Sequence, residues 1–177
     1  LDFAPVLQEF VNNGGMVVFC GTSGAQPIIN SGLMSINVTG FDTGTPLNVL
    51  DATHPITEGI TASFPPSNGT YPNFYSDPDV VTLVEQAPGA FGGGGSVVAY
   101  RPIGNGYVVS LTFDYFSSEE NAKKLLANTL KWAESLSVVP WLDYSPTEGN
   151  VGYPDQTTID VTLDATDLLG GTYVSEL

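Results

Sequence analysis

The chain has almost no positive charge. Of its 177 residues, four are Lys or Arg, against 19 Asp and Glu, for a formal net charge of −15. A nucleic-acid surface needs Lys and Arg to neutralise phosphates, so that class of partner is excluded. Docking on anionic lipid is disfavoured for the same reason. Cysteine is as scarce: Cys20 stands alone, so no disulfide forms within the chain, and an extracellular fold must be held by its core or its neighbours. His54 is the one histidine, and a single imidazole builds no zinc site without cysteine or carboxylate help. No run approaches the ~20 apolar residues that span a bilayer, so membrane insertion is not expected. No secretion signal opens the sequence; for an exported protein it is expected upstream of Leu1.

What is present is an ordinary apolar content, 42%, enough for a packed core. The low charged fraction and abundant Ser, Thr, Asn and Gly are common in secreted, salt-exposed proteins. Phe3, Val6, Leu7, Phe10 and Val11 fall at helical spacing, and Asn12-Asn13-Gly14-Gly15 stops that helix. Met16 to Cys20 is a continuous apolar run, as in a strand buried on both faces of a parallel sheet, and Gly21-Thr22-Ser23-Gly24 is a tight strand-end loop. This order is the unit of a doubly wound α/β sheet.

Further along, Ile36 to Thr39 and Leu47 to Leu50 read as short strands, 61–79 as a long surface loop, and Val80 to Val84 as a strand. A flexible glycine tract occupies Gly89 to Ser96. Two β-rich runs, Ser96 to Tyr100 and Tyr107 to Leu111, flank an Asn105-Gly106 hairpin signal. Ser117-Ser118-Glu119-Glu120 starts a helix whose apolar stripe is Ala122, Leu125, Leu126, Thr129, Leu130 and Ala133. Pro140 closes it. The division belongs at about 137–141, giving an α/β domain over 1–138 and a second unit over 139–177. That second unit, with strands near Leu142, over Thr158 to Ala165 and over Gly171 to Val174, reads as the opening of a β-sandwich. A free-standing sandwich needs about seven strands.

Two family resemblances follow. Phe10 to Val18, the strand-end Gly21 to Gly24, His54-Pro55-Ile56-Thr57-Glu58-Gly59-Ile60, Val98 to Val109 and Leu125 to Ala133 occur in an order that resembles the class I glutamine amidotransferase-like superfamily, in its ThuA-like branch, over about residues 1–135. The resemblance implies a flavodoxin-like α/β fold with a mainly parallel sheet. It also implies a first strand upstream of the first helix. The tail, through Trp141-Leu142, Ser145-Pro146, Gly149, Val161-Thr162, Asp164-Ala165 and Gly171-Thr172-Tyr173, resembles the first half of an immunoglobulin-like repeat module of large secreted bacterial proteins. With both ends cut through domains, an internal or processed segment is expected. An extracellular or cell-surface location follows from the second resemblance.

The amidotransferase reaction needs a thiolate at a sharp strand-to-helix turn and a His to take its proton. Here Thr22 falls at the nucleophile position of the family pattern. Cys20 lies two residues earlier, where it is expected as a small core hydrophobe. The segment Thr112-Phe113-Asp114-Tyr115-Phe116, where the family's His is expected, has none. Glutaminase activity is therefore not expected. Thr22, His54 and Asp114 remain as candidates for chemistry in a strand-end cleft. His54 also has a structural reading, in which its ring hydrogen-bonds the backbone at the turn that Pro55 begins.

No cofactor is implied. Asp77, Asp79, Asp160, Asp164 and Asp167 offer oxygen ligands to Ca2+ without the spacing of an EF-hand, and a solvated acidic surface accounts for them as well; a paired-carboxylate glycosidase site has no fixed spacing to support it. Asn37-Val38-Thr39 and Asn68-Gly69-Thr70 are glycosylation sequons. Tyr71, Phe74 and Tyr75 offer an aromatic binding surface or pin a loop to the core. The expected role is a non-catalytic structural or interaction segment of a large secreted or surface protein, with other domains or neighbouring subunits as partners. Two alternatives are a ligand- or carbohydrate-binding or hydrolytic domain using the strand-end cleft, and a subunit of an extracellular polymer assembled by strand exchange.

Overall fold

A computed structural model describes residues 3–21, 25–66, 69–90, 92–115, 119–136, 142–146 and 148–164. The chain divides into two compact units, Leu1–Ser135 and Leu136–Leu177. The first begins with helix α1 (Ala4–Asn12), strand β1 (Met16–Cys20) and helix α2 (Ala25–Ser31). Helix α2 was not legible in the sequence: Pro27 argues against a helix interior, but it falls in the first turn, where no N–H is needed. Strands β2 (Ile36–Thr39) and β3 (Leu47–Val49) follow, then a 3-10 turn at Pro55–Thr57 and strands β4 (Ser63–Phe64) and β5 (Asn73–Tyr75). Both β4 and β5 lie in the stretch expected to be loop. They are two and three residues long, too short to show a period among the prolines and glycines around them. Strands β6 (Val81–Gln86), β7 (Gly95–Ile103) and β8 (Gly106–Leu111) and helix α3 (Glu120–Leu136) complete the unit.

The eight strands form one sheet, with order β1-β8-β7-β6-β3-β4; the β2–β5 ribbon joins through β5 to the start of β7. The expectation of a mainly parallel sheet is corrected to a mixed one. Among the described residues only β1–β8 pairs in parallel; β6–β7, β7–β8, β3–β6, β3–β4, β5–β7 and β2–β5 are antiparallel. Short connections impose this on β6–β7 and β7–β8, because a parallel pair needs a crossover of a dozen or more residues. A mixed sheet with helices on both faces is consistent with a flavodoxin-like fold. Val11 of α1 and Ile28 of α2 pack with Val108, Val17 and Phe19, whereas Ala122 and Leu125 of α3 pack with Val109, Leu111 and Val18. Val108 and Val109 are neighbours on β8, so the two clusters lie on opposite faces.

The β7–β8 hairpin turns at Gly104-Asn105, since Ile103 pairs with Gly106, one residue earlier than the Asn105-Gly106 signal suggests. Gly104 carries the positive φ, +58°. Gly106 is spared for packing: a Cβ there would overlap the carbonyl oxygens of Gly15 and Val11. Backbone hydrogen bonds from Asn105 N to Asn12 O and from Tyr107 N to Gly15 O, both 3.1 Å, dock the hairpin tip on the α1–β1 turn.

On α3 the buried residues are Ala122, Leu125, Asn128 and Thr129, while Leu130, expected inside, is 57% exposed. The face is rotated by Asn128, whose amide donates to Ile56 O at 3.0 Å and Glu58 O at 2.9 Å. Two carbonyls of the 3-10 turn are thereby satisfied from α3, as buried polar groups require.

In the second unit, β9 (Leu142–Ser145) and β10 (Asp160–Leu163) form an antiparallel two-stranded sheet. Every residue of β10 is exposed. The described residues contain no immunoglobulin-type sandwich; the expected strand at 171–174 lies outside them. A two-stranded sheet alone is marginal in water. No helix among the described residues is long and apolar enough to cross a membrane.

Gly106→Ala should lower stability by about 3 kcal/mol or more, because backbone rather than a flexible side chain must give way. Asn128→Ala should cost about 2–3 kcal/mol, by loss of the hydrogen bonds to the buried Ile56 carbonyl and the part-buried Glu58 carbonyl. Urea unfolding of each variant against the parent measures both.

Candidate functional site

Of the expected candidates, His54 and Asp114 do not converge. Thr22 lies outside the described residues. Asp114 follows the carboxyl end of β8, its N–H donating to Gly69 O at 3.0 Å. His54 lies toward the other end of β8, on the α3 face. Its ring stacks on Tyr100 with centroids 4.9 Å apart and meets Trp132 edge-on at 4.8 Å, and Trp132 in turn lies 4.7 Å from Tyr107, near the first residue of β8. His54 Nδ1 accepts the N–H of Ile56 at 3.2 Å, so the ring caps the 3-10 turn. Burial pushes its pKa below the ordinary value, and the nearby Asp51 carboxylate pulls it back up.

Cys20 is exposed, not buried as expected. It ends β1, which is an edge strand among the described residues and pairs only with β8. Partial desolvation nonetheless pushes its thiol pKa up, away from the thiolate that nucleophilic chemistry needs. Burial likewise holds the Tyr115 hydroxyl protonated, with Cys20 adding to the effect.

The carboxylates are engaged elsewhere. Arg101 pairs with Asp77 at 3.2 Å and Asp79 at 2.9 Å, and donates to Leu33 O at 2.8 Å. Asp77 also accepts from the backbone N–H and hydroxyl of Ser35. Among the described residues no three His, Cys, Asp or Glu gather as metal ligands would. Asn37 is exposed on β2; Asn68 and Asp167 lie outside the described residues.

The sequence pointed away from the feature that stands out, a groove of about 250 Å3 beside β5, β6 and β7. Two register shifts on β6–β7, at Thr82/Val84 and Val84/Glu85, build it. The shifts place Leu83 and Val84, and likewise Val97 and Val98, in the α3-side core. Thr82, Glu85 and Ser96 are left to line the groove with Asn73, Phe74, Tyr75 and Asp77. Bulges re-aim side chains in this way and concentrate beside functional sites. Tyr75 and Val80 belong to the α1/α2-side core, so the groove opens on the face opposite His54. Ser96 lies beyond the Val98–Leu111 pair, at the end of the sheet where β1 and β8 finish, the end at which open α/β sheets bind ligands.

Polar groups buried beneath it are incompletely satisfied. Asn73 and Ser96 are 2% and 7% exposed and Ser110 is 1% exposed. Asn73 Oδ1, Ser96 Oγ and Ser110 Oγ find no partner of ordinary hydrogen-bond geometry among the described residues. The Tyr75 hydroxyl lies close enough to Ser110 and Asn73 for both to pull its pKa down, against burial, which pushes it up. Each unmade buried hydrogen bond costs about 1–3 kcal/mol. Buried Gln86, one residue past Glu85, shows the contrast: its amide donates to Asp42 Oδ1 and Thr45 O and accepts from Thr43 N. The available signal was Ser110, a lone polar residue in an apolar strand, and the apolar doublets Leu83-Val84 and Val97-Val98, which break strand alternation.

No family model matches the chain, and no curated protein matches it. Solved structures do. A ThuA-like protein of Bacteroides uniformis superposes with a TM-score of 0.51 and 17% identity, over 73% of this chain and 62% of that one. The fold is ThuA-like. The cytoplasmic protein STM3548 of Salmonella typhimurium matches with a TM-score of 0.51 and 13% identity, over 73% of this chain and 59% of that one. The chain thus spans about three-fifths of the length of each of these two proteins.

The His54 cap makes stability depend on pH. With its folded pKa below the unfolded value of about 6.5, the unfolded chain binds a proton that the folded chain does not. Stability therefore falls as pH drops through that window. His54→Asn keeps a side-chain acceptor at the turn without titrating. Comparison of urea midpoints at about pH 7.5 and about pH 5.5, where carboxylates stay ionised, should show a smaller drop in the variant than in the parent.

Proposed function

We propose that this chain is a non-catalytic interaction segment of a larger secreted or cell-surface protein. One observation carries the first half of this reading: the only imidazole in the chain is committed to a backbone cap on the α3 face, away from Asp114 and from Cys20. Triad chemistry needs nucleophile and base within hydrogen-bond reach. The raised Cys20 pKa supports the same reading. The secreted or surface setting is supported by the charge balance, with 19 acidic residues against four basic ones, and by the resemblance of the tail to repeat modules of secreted proteins. Neighbouring domains or subunits are then the partners.

Incubated with glutamine, the purified chain should release no ammonia above buffer, and Cys20→Ala should change nothing in a coupled ammonia assay. Release that disappears in Cys20→Ala or Thr22→Ala would overturn the reading.

A further inference from the structure

We propose that the open edge of β1, with the apolar flanks of α1 and α3 beside it, is a dimerisation surface for a second copy of this chain, β1 pairing antiparallel with β1 across a two-fold axis. The inference names a partner for the interaction role proposed above and rests on that reading; dimerisation and turnover are measured separately.

The backbone comes first. Bonds from Tyr107 N to Gly15 O and from Gly21 N to Leu111 O bracket β1. In a parallel pair, alternate residues of a strand turn N–H and C=O toward the neighbour. Val17 and Phe19 therefore face β8, while Met16, Val18 and Cys20 present theirs at the edge, where no further strand lies among the described residues. Such an edge is a template for another chain. The side chains agree. Nearly all of β8 is buried, whereas Met16 to Phe19 on β1 are only half-buried and Cys20 is exposed, although the run is apolar on both faces.

Both helical layers leave the same side uncovered. On α1, the Gln8 amide donates to Ser31 O of α2, and Ile28 of α2 shares a core with Ile36 and Tyr75 of β2 and β5, away from β1. Phe3, Val6 and Phe10 project from the opposite flank of α1 and are 63%, 61% and 52% exposed. On α3, Lys124 and Asn128 bond the carbonyls of Gly59, Ile56 and Glu58, on the β7 side of β8. Leu130, 57% exposed, projects from the flank opposite.

This surface fits itself. A two-fold axis normal to the sheet beside Val18 sets Val18 against Val18 of the second copy, and Met16 against its Cys20. Opposed residues of a hydrogen-bonded antiparallel pair exchange both bonds, so every edge N–H and C=O of the three residues finds a partner. The same axis lays α1 on α1 and α3 on α3, apolar flank against apolar flank. None of these side chains is charged, in a chain with 19 acidic residues. With a whole aromatic side chain worth about 150–250 Å2, the four exposed residues offer on the order of 450 Å2 per protomer. The half-exposed side chains and backbone edge of β1 bring this toward the roughly 800 Å2 per partner of a standard interface. The contact is isologous, so it closes at two chains and does not propagate.

The test uses the full chain in sedimentation equilibrium from micromolar to millimolar concentration. The parent should form a reversible dimer that dissociates on dilution. Val6→Glu, at an exposed helix position, should raise the dimer Kd about tenfold or more by setting like charges together across the axis, with the far-UV circular dichroism unchanged. Opposed Cα atoms lie about 5.5 Å apart in such a pair, within disulfide reach. Val18→Cys in a Cys20→Ser background should therefore cross-link two chains on oxidation, whereas Thr61→Cys in that background, exposed and at the other end of the sheet, should not. A monomer throughout the range would overturn the proposal and leave the edge to a strand of another sequence. A dimer that Val6→Glu does not weaken, or equal cross-linking of the Val18→Cys and Thr61→Cys chains, would place the contact elsewhere and overturn it too. None of these outcomes bears on glutamine turnover, which decides the non-catalytic reading.

Discussion

The α/β unit is organised around one close approach, that of Gly106 to the carbonyl oxygens of Val11 and Gly15. It brings the tip of the β7–β8 hairpin against the turn between α1 and β1. The bond from Tyr107 N to Gly15 O then starts the parallel register that runs from Met16–Tyr107 to Cys20–Leu111. With that register set, strand alternation decides the faces: Val108 goes to the α1/α2 side and Val109 to the α3 side. The register also decides where β1 and β8 end together, and so where a strand-end site can exist. A side chain at position 106 would disturb all three.

A second constraint acts on the same sheet. β6 and β7 must supply apolar side chains to the α3 core while leaving polar ones beside β5. Two register shifts meet both demands by breaking alternation, so that Leu83, Val84, Val97 and Val98 are all buried in one cluster. The polar residues displaced by the shifts become the groove wall. The hydrogen bonds of Ser96 and Asn73 are left unmade in a region where Gln86, close by, has all of its bonds. The imperfection is local and coincides with the ladder irregularity.

Periodicity over many residues was legible in the sequence. Helix α1, strand β1, the β7–β8 hairpin and helix α3 all had enough residues to show a 3.6 or 2.0 period, or a stop signal at their ends. Elements of two or three residues carry no period, so β4 and β5 were hidden in what reads as loop. Helix α2 was hidden by Pro27. The parallel pairing read from the apolar run Met16 to Cys20 holds for β1 but does not extend to the other strands, because burial does not say whether neighbours run parallel. The candidate residues were chosen for reactive side chains, whereas the groove is marked by ordinary ones in unpaired positions. Unpaired status is a property of three-dimensional neighbours, and no spacing rule encodes it.

The placement of His54 separates the one imidazole from the serines on the opposite face of the sheet. Hydroxyls line the groove, and a serine there would be a nucleophile if a base reached it. The base is on the other side of the sheet: His54 sits between Tyr100 and Trp132 on the α3 face, while Ser96 and Ser110 are buried toward the α1/α2 side. A β-sheet one residue thick is enough to keep the imidazole from both. Of the two carboxylates that line the groove, Asp77 and Glu85, Asp77 is held by Arg101 and Ser35, which fixes it as an ion-pair partner.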